Sequence, residues 1–326
     1  MFNNLIISLS YIFFGLIIGY SIQLLEQRRI IRLLISLEKL RKLLQKIGLL
    51  FFMPISFIGA LWIIKIDNIK IVALPFLGIF ALLIGGLLGL TAARFLQLKQ
   101  KDTGSMFTCG SFTNIGSIGG LICYIFLGEE GFALVPIYKL FEQVIYYAIG
   151  FPIAKSFSSN INKKENIIFH LKRVFTDIFV IVALLSIIIG TFLNLSGIER
   201  PIFYKTINAI FIPGGTVILL ISIGLAMKFG KVKNYIKESI AISIIKFVLV
   251  PSIISTIAFF LGYGKMGEGL PLKVVIILSS MPVAFSALIP ASIYDLNLDL
   301  ANSCWLVTTL SLIVILPLLF YIISLI

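Results

Sequence analysis

The chain has 326 residues, of which 59% are hydrophobic and 13% are charged, and its mean hydropathy is +1.10. An ordinary soluble domain has about 25% charged residues, so this composition excludes a water-soluble globular protein and indicates an all-α integral membrane protein. The formal net charge of +13 does not indicate a nucleic-acid partner, because the basic residues lie mostly in short loops between apolar segments, where membrane topology explains them.

Ten apolar segments follow one another along the chain, and each is close to the roughly 20 residues that a helix needs to cross a bilayer. The predicted spans are Leu5–Leu25, Ile47–Ile64, Ile71–Leu96, Met106–Leu127, Gly131–Ala154, Val174–Leu195, Thr206–Met227, Ile236–Leu261, Leu272–Tyr294 and Ala301–Ile326. No polar segment is long enough for a separate soluble domain, so residues 1–326 form one predicted transmembrane domain. The first span has no basic segment before it, and we interpret it as a membrane helix and not as a cleaved signal peptide.

The distribution of Lys and Arg predicts the orientation of the chain in a cell (inner) membrane. If the N-terminus lies outside, the cytoplasmic loops carry 19 of these residues and the outer loops carry six, with Lys139 and Lys246 inside spans. Cytoplasmic loops are enriched in Lys and Arg, so both termini are predicted to lie outside. The basic first loop, Gln27–Gln45, has an apolar stripe at helical spacing and predicts an amphipathic helix, either on the membrane surface or beneath the protein itself.

The fourth predicted span has an unusual concentration of small and polar residues. It contains Gly110, Gly116, Gly119 and Gly120, together with Asn114 and several hydroxyl residues. Each glycine costs a helix roughly 1 kcal/mol relative to alanine, and a buried amide needs hydrogen-bonding partners. The pattern therefore predicts a broken helix, which is tolerated at membrane depth only where protein or water surrounds it.

The ninth predicted span has two prolines, Pro282 and Pro290, and each removes a backbone donor from the helix. Interruptions in the fourth of five and the ninth of ten spans predict two inverted five-helix repeats, residues 1–160 and 161–326. Paired interrupted segments of this kind are the best sequence indication of a transporter's binding site. An alternative is that the small residues only permit close packing, as expected for Gly85 and Gly89 in the third span.

Helix breaks offer two kinds of ion-binding group. Half-helix N-termini favour an anion, whereas freed carbonyls and hydroxyls favour a cation, and we consider a sodium site near Thr113 and Ser286. Both kinds of ligand stay open from the helix breaks alone, and the candidate coupling ion is a proton or sodium. No cofactor and no metal-ligand cluster is expected from the sequence.

Three ionisable residues lie deep within predicted spans, away from the span ends, and are candidates for coupling or charge attraction. Lys139 and Glu142 are three residues apart, so they are either a structural ion pair or a proton-coupling and anion-attracting group. Lys246 lies about two turns into the eighth span, where it either has a functional role, pairs structurally, or extends its ammonium to the membrane interface.

The sequence resembles the auxin efflux carrier family of permeases over nearly its whole length. The resemblance is carried by an Asn-x-Gly-x-x-Gly pattern in the fourth span, a glycine-bounded turn and a tyrosine in the fifth, and Met-Pro, Tyr, Asp, Ser and Pro positions near the end. The matching residues are Asn114, Gly116, Gly119, Gly128, Gly131, Tyr138, Met281, Pro282, Tyr294, Asp299, Ser311 and Pro317, with Pro54 in the second span. Leu121 stands where family members often have a proline.

This resemblance implies a fold like that of bile-acid symporters, with crossed helices that move against a scaffold in an elevator-type cycle. It also implies secondary transport, as a permease or efflux carrier, of carboxylates or auxin-like acids. The candidate substrate-binding residues are Asn114, Gly116, Ser117, Gly119, Met281, Pro282 and Ser286.

Two other functions are weighed against this prediction. A sodium-coupled symporter for organic or bile-type acids keeps the same architecture and differs in its dependence on sodium. A multi-pass membrane enzyme needs a nucleophile with a base or a set of metal ligands, and the sequence has one histidine and no HExxH, GxSxG or P-loop motif. A homodimer is compatible with the GxxxG-type faces, which serve packing within one chain equally well.

Overall fold

A computed structural model describes residues 2–64, 69–158 and 176–326 of the chain. Within these ranges the protein is built from helices, and two extended residues, Thr113 and Val283, form an isolated antiparallel bridge. The α-helices are Phe2–Gln27, Leu37–Ile47, Met53–Ile63, Leu74–Phe95, Gln100–Ser111, Gly120–Tyr138, Glu142–Ile145, Phe151–Ser156, Ile178–Leu195, Phe203–Gly224, Ile236–Ile244, Val250–Phe260, Leu270–Ser279, Leu288–Ile293 and Leu298–Ser324. Several of them are joined without a loop by π-helical turns, namely Gly48–Phe52, Ile115–Gly119, Tyr146–Gly150 and Ile245–Leu249.

The prediction of an all-helical, multi-pass membrane protein is confirmed. Eight continuous helical stretches in the described ranges are long and apolar enough to cross a bilayer. As far as the chain is described, the predicted spans lie on helical segments, although helix begins at Leu37 before the second span and at Gln100 before the fourth. Val174, the predicted start of the sixth span, lies outside the described residues. The two inverted repeats, 1–160 and 161–326, and the orientation of the termini stay predictions.

The long helical stretch Ile115–Ser156 contains two helices that fold back on each other. Gly128 leaves helical geometry with φ 74° and ψ −165°. A Cβ on Gly120 would lie 3.3 Å from a ring carbon of Phe132, whereas residues twelve apart in a continuous helix are separated by about 18 Å. The stretch therefore contains the second half of the predicted fourth span and the whole of the predicted fifth, separated by the expected glycine turn.

The predicted amphipathic helix over Gln27–Gln45 is wrong in its first part. The chain leaves the helix after Gln27, and Arg29 has a positive φ of 57°. Helix resumes at Leu37, where the Ser36 hydroxyl caps the first turn by accepting a hydrogen bond from the Lys39 N–H at 3.3 Å. The amphipathic part is thus Leu37–Ile47, in which no residue is fully buried.

The chain divides into two compact units, and each draws on both halves of the sequence. The first comprises Met1–Asp67, Gly116–Pro136 and Ile178–Met227, and the second comprises Asn68–Ile115, Ile137–Asp177 and Lys228–Ile326, in each case as far as the chain is described. The interrupted ninth span and the first half of the fourth therefore belong to the second unit.

Close helix packing in the second unit depends on glycine, as the sequence predicts for Gly85 and Gly89. A Cβ on Gly85 would overlap the carbonyl oxygen of Gly110, and a Cβ on Gly110 would overlap the carbonyl oxygen of Gly85. A Cβ on Gly89 would approach the carbonyl oxygen of Met106. The helices Leu74–Phe95 and Gln100–Ser111 thus touch backbone to backbone, which confirms the packing role.

Candidate functional site

Two helices of the second unit are interrupted at corresponding places. The first ends at Ser111, and the chain resumes helical geometry at Ile115. The second ends at Ser279, and a short 3-10 turn begins at Phe285. The extended residues between these ends leave several backbone groups without partners in their own helices, and such groups must be satisfied elsewhere at membrane depth.

The two interruptions hydrogen-bond to each other. The Asn114 N–H donates to the Pro282 carbonyl at 2.9 Å, and the Ala284 N–H donates to the Phe112 carbonyl at 3.0 Å. These bonds flank the antiparallel bridge between Thr113 and Val283. We call residues 112–114 and 282–284 the crossing. The prediction that helices 4 and 9 are broken and cross each other is confirmed.

Pro282 and Thr308 account for the remaining backbone donors at residues 282–284 of the crossing. Pro282 has no N–H, so it leaves no donor unpaired where the chain is extended. The Val283 N–H donates to the hydroxyl of Thr308 at 3.2 Å, and Thr308 lies on the last helix, Leu298–Ser324. The crossing is therefore held by backbone bonds and by a side chain from a third helix.

Lys246 reaches the crossing from the eighth span. Its side chain is 1% exposed, and its Nζ donates to the Thr113 Oγ1 at 2.6 Å and to the Ser111 carbonyl at 3.4 Å. The Thr113 hydroxyl donates in turn to the same carbonyl at 3.3 Å. The ammonium thus lies at the C-terminal end of a half-helix, where the helix dipole favours a cation. It points inward, so the alternative in which it extends to the membrane interface is wrong.

A tyrosine connects the crossing to a carboxylate. The Thr113 N–H donates to the hydroxyl of Tyr146 at 3.1 Å, and that hydroxyl donates to the Glu142 Oε1 at 3.0 Å. The ring of Tyr146 stacks on Phe112 with centroids 3.9 Å apart. Thr113 is therefore held through its backbone by Tyr146 and through its side chain by Lys246.

Glu142 also forms an ion pair with Lys139, whose Nζ lies 3.2 Å from Oε2. Glu142 is buried, whereas the Lys139 side chain is 24% exposed. The two residues thus form the ion pair that their spacing indicates, and their role in coupling or in anion attraction stays a prediction. The chain makes a turn between Tyr138 and Glu142, so the pair spans the start of a helix instead of lying along one helical face.

Comparison with known proteins identifies the family of the chain. Residues 31–321 match the family model described as "Membrane transport protein". The chain belongs to this family. Its resemblance to the auxin efflux carriers is confirmed by this match.

Two curated relatives of this transporter come from methanogenic archaea. An "Uncharacterized transporter" of Methanothermobacter thermautotrophicus is 23% identical over 249 residues, which cover 76% of this chain and 77% of the relative. Another, of Methanocaldococcus jannaschii, is 25% identical over 254 residues, which cover 77% of each chain. The family and the names of these relatives indicate a transporter.

The predicted substrate-binding residues of the transporter fall into two groups. Asn114, Met281 and Pro282 are buried at or beside the crossing, and Ser286 is partly exposed on the 3-10 turn Phe285–Ala287. Together with Lys246 they belong to the second unit. Within that unit the structure brings most of the predicted site to one place.

Gly116, Ser117 and Gly119 form the second group. They lie on the π-helical turn Ile115–Gly119, just beyond the crossing, and belong to the first unit. Ser117 is buried, and its carbonyl accepts a hydrogen bond from the Thr216 hydroxyl at 3.5 Å. The interruption of the fourth span thus precedes the two motif glycines. Their role in binding stays a prediction.

The sequence does not single out three residues that support the transporter's crossing: Ser111, Tyr146 and Thr308. Tyr146 follows Glu142 by four residues, a spacing that places two side chains on one helical face, so this residue was detectable. Ser111 acts through its carbonyl and Thr308 lies in a long apolar helix. Neither residue has a local sequence feature that indicates its contact with the crossing.

A second polar cluster lies at the start of the transporter's last helix. Asn297 donates through Nδ2 to the Asp102 Oδ1 at 2.6 Å and to the Tyr235 hydroxyl at 3.0 Å. Asp299, one of the residues of the family resemblance, pairs with the Lys231 Nζ at 2.6 Å, and this pairing raises the pKa of Lys231. The cluster connects three segments of the second unit.

Proposed function

We propose that this transporter moves a small organic anion, such as a carboxylate or an auxin-like acid, through the crossing by secondary active transport. The observation that carries the proposal is the buried ammonium of Lys246. Among the described residues, no carboxylate oxygen lies within 4.0 Å of this Nζ, the distance limit of an ion pair. An ionic group at bilayer depth is costly and is a functional candidate by default.

The charges around the crossing favour an anion. Lys246 and Lys139 each contribute a formal charge of +1 and Glu142 contributes −1, so this group of three carries +1 when all are ionised. A bound monoanion would neutralise that charge. Because the cost of burying uncompensated charge in a low dielectric is several kcal/mol, the loaded site would cross the membrane more easily than the empty one.

The division of the chain supports an elevator-type cycle. The crossing, Lys246, Tyr146 and the Lys139–Glu142 pair all belong to the second unit. Their hydrogen bonds bind them to one another, so they would move as one group. In this proposal the second unit is the moving body, and the site travels with it.

The test is uptake of labelled carboxylates into proteoliposomes, with a thermal melt of the purified protein as a binding measurement. A ligand at 100 times its dissociation constant stabilises a protein by about 2.7 kcal/mol. We expect at least one monocarboxylate or aromatic acid to stabilise the protein and to be taken up saturably. Stabilisation by neutral or cationic solutes and by no anion would contradict the proposal.

Variants locate the site within the same assay. Asn114→Ala and Gly116→Leu should abolish uptake while membrane insertion is retained. Asn3→Ala is the matched control for the asparagine, because Asn3 is exposed near the chain start. Normal uptake by well-inserted Asn114→Ala protein would place the site elsewhere.

A further inference from the structure

The crossing has the groups that commonly bind a coupling cation in a transporter. Half-helix C-terminal ends and unwound carbonyls coordinate sodium in many secondary transporters. Here the relevant oxygens are the Ser111 carbonyl and the Thr113 hydroxyl, at the C-terminal end of Gln100–Ser111. Thr113 is one of the two residues near which the sequence predicts a sodium site.

In the structure, the ammonium of Lys246 already binds both oxygens. It lies 2.6 Å from the Thr113 Oγ1 and 3.4 Å from the Ser111 carbonyl oxygen. The Thr113 hydroxyl donates its own hydrogen to the Ser111 carbonyl, so its oxygen faces Lys246 as an acceptor. A sodium ion on these atoms would share them with a second positive charge.

We propose that Lys246 is a resident cation, whose ammonium takes the place of a coupling sodium ion, so that substrate binding and transport do not require sodium. The inference rests on the proposed anion transport, but it concerns the coupling cation and not the substrate. Two like charges on the same oxygens repel strongly in a low dielectric. A tethered charge also avoids the loss of translational freedom that a bound ion undergoes.

The surroundings of Lys246 hold this cation in place. The residue lies in the π-helical turn Ile245–Leu249, and its neighbour Ile245 is buried. Its side chain is 1% exposed, so bulk water does not compete for the ammonium. The nitrogen is therefore held at the crossing by protein oxygens and not by water.

Sodium binding to variants of Lys246 tests the proposal without any substrate. Wild type should melt at the same temperature in sodium chloride and in choline chloride. Lys246→Ala vacates the space and leaves both oxygens without a cation, so sodium should raise its melting temperature by about 2 °C or more. Lys246→Met fills the same space with an uncharged side chain and is the matched control, in which sodium should have no effect.

Each outcome decides the question. A sodium-specific stabilisation of wild type would overturn the resident cation, and this measurement needs no variant to fold. Equal responses of Lys246→Ala and Lys246→Met, including no response in either, would also overturn it. Lys246→Ser is the substitute if the alanine variant does not fold.

The same proteins separate this inference from the proposed function. Wild-type uptake of a carboxylate that persists in sodium-free medium supports both. Carboxylate uptake that requires sodium keeps the proposed anion transport and overturns the resident cation. A wild type that binds no anion, while only the Lys246→Ala variant responds to sodium, overturns the proposed substrate and keeps the resident cation.

Discussion

The Nζ of Lys246 lies 2.6 Å from the Oγ1 of Thr113, across 133 residues of sequence. This bond joins the eighth span to the interruption of the fourth. A hydrogen bond to a charged group contributes about 1.5–3 kcal/mol, and here it also fixes where the positive charge stands. Thr113 is therefore a positioning residue for the ammonium, and its hydroxyl is more important than its bulk.

Thr113→Val removes this hydroxyl and keeps the shape of the side chain. We expect the apparent affinity for the transported anion to fall by about 10-fold to 100-fold, because the ammonium loses its nearest partner. The measurement is the concentration dependence of uptake in proteoliposomes. Thr113→Ser should restore the affinity. Thr309→Val is the control, since its buried hydroxyl donates only to its own helix at the Trp305 carbonyl; an unchanged affinity in Thr113→Val would contradict the role.

Tyr146→Phe should lower stability while the ring contact with Phe112 is retained. The substitution leaves the Thr113 N–H and the Glu142 carboxylate without the hydroxyl that joins them. A buried group that loses its partner costs about 1–3 kcal/mol, so the melting temperature should fall by several degrees, as measured in detergent. Tyr321→Phe, on an exposed face of the last helix, should melt like wild type. If both variants melt alike, the hydroxyl of Tyr146 is dispensable.

The interruptions were predictable because their causes are local. Pro282 lacks an N–H wherever it stands, and the cluster of glycines with Asn114 is visible in eleven residues of sequence. That the two broken helices cross is implied by the family resemblance and not by either segment alone. The register, with Thr113 opposite Val283, was beyond the sequence because it is set by packing between residues far apart in the chain.

The partners of the charged residues were only partly predictable. Lys139 and Glu142 are near in sequence, and their pairing follows from spacing. Lys246 lies in an apolar segment that does not tell whether its long stem turns inward or toward the interface. Glu129 lies between the glycines of the turn at Gly128 and Gly131, and in the first unit it pairs with Arg200, which also donates to the Gly59 carbonyl at 2.9 Å. Contacts over such separations leave no periodic signal.

Gly85→Ala should destabilise the second unit, because the added methyl group would overlap the Gly110 carbonyl oxygen on the neighbouring helix. Inserting a carbon into a well-packed contact typically costs about 1–3 kcal/mol. Gly230→Ala is the control, since no atom lies within 4 Å of a Cβ built there. Thermal melts of the two variants give the comparison. A Gly85→Ala protein as stable as the control would show that these helices separate without cost.

Asn297 and Asp299 should differ sharply in their contribution to stability, although both are polar residues at the start of the last helix. Asn297→Ala removes the helix cap to the Leu300 N–H and the two bonds from Nδ2. Loss of such a cap alone costs about 1 kcal/mol, and the lost bonds to Asp102 and Tyr235 add to this. A clear fall in melting temperature is therefore expected.

Asp299→Asn breaks only the ion pair with Lys231, in which the two side chains are 44% and 61% exposed. Exposed pairs contribute about 0–1 kcal/mol, so this variant should melt within about a degree or two of wild type. If it melts as low as Asn297→Ala, then the charge of Asp299 has a structural role that its exposed pair with Lys231 does not explain. If Asn297→Ala instead melts like wild type, the polar cluster does not hold the three segments together.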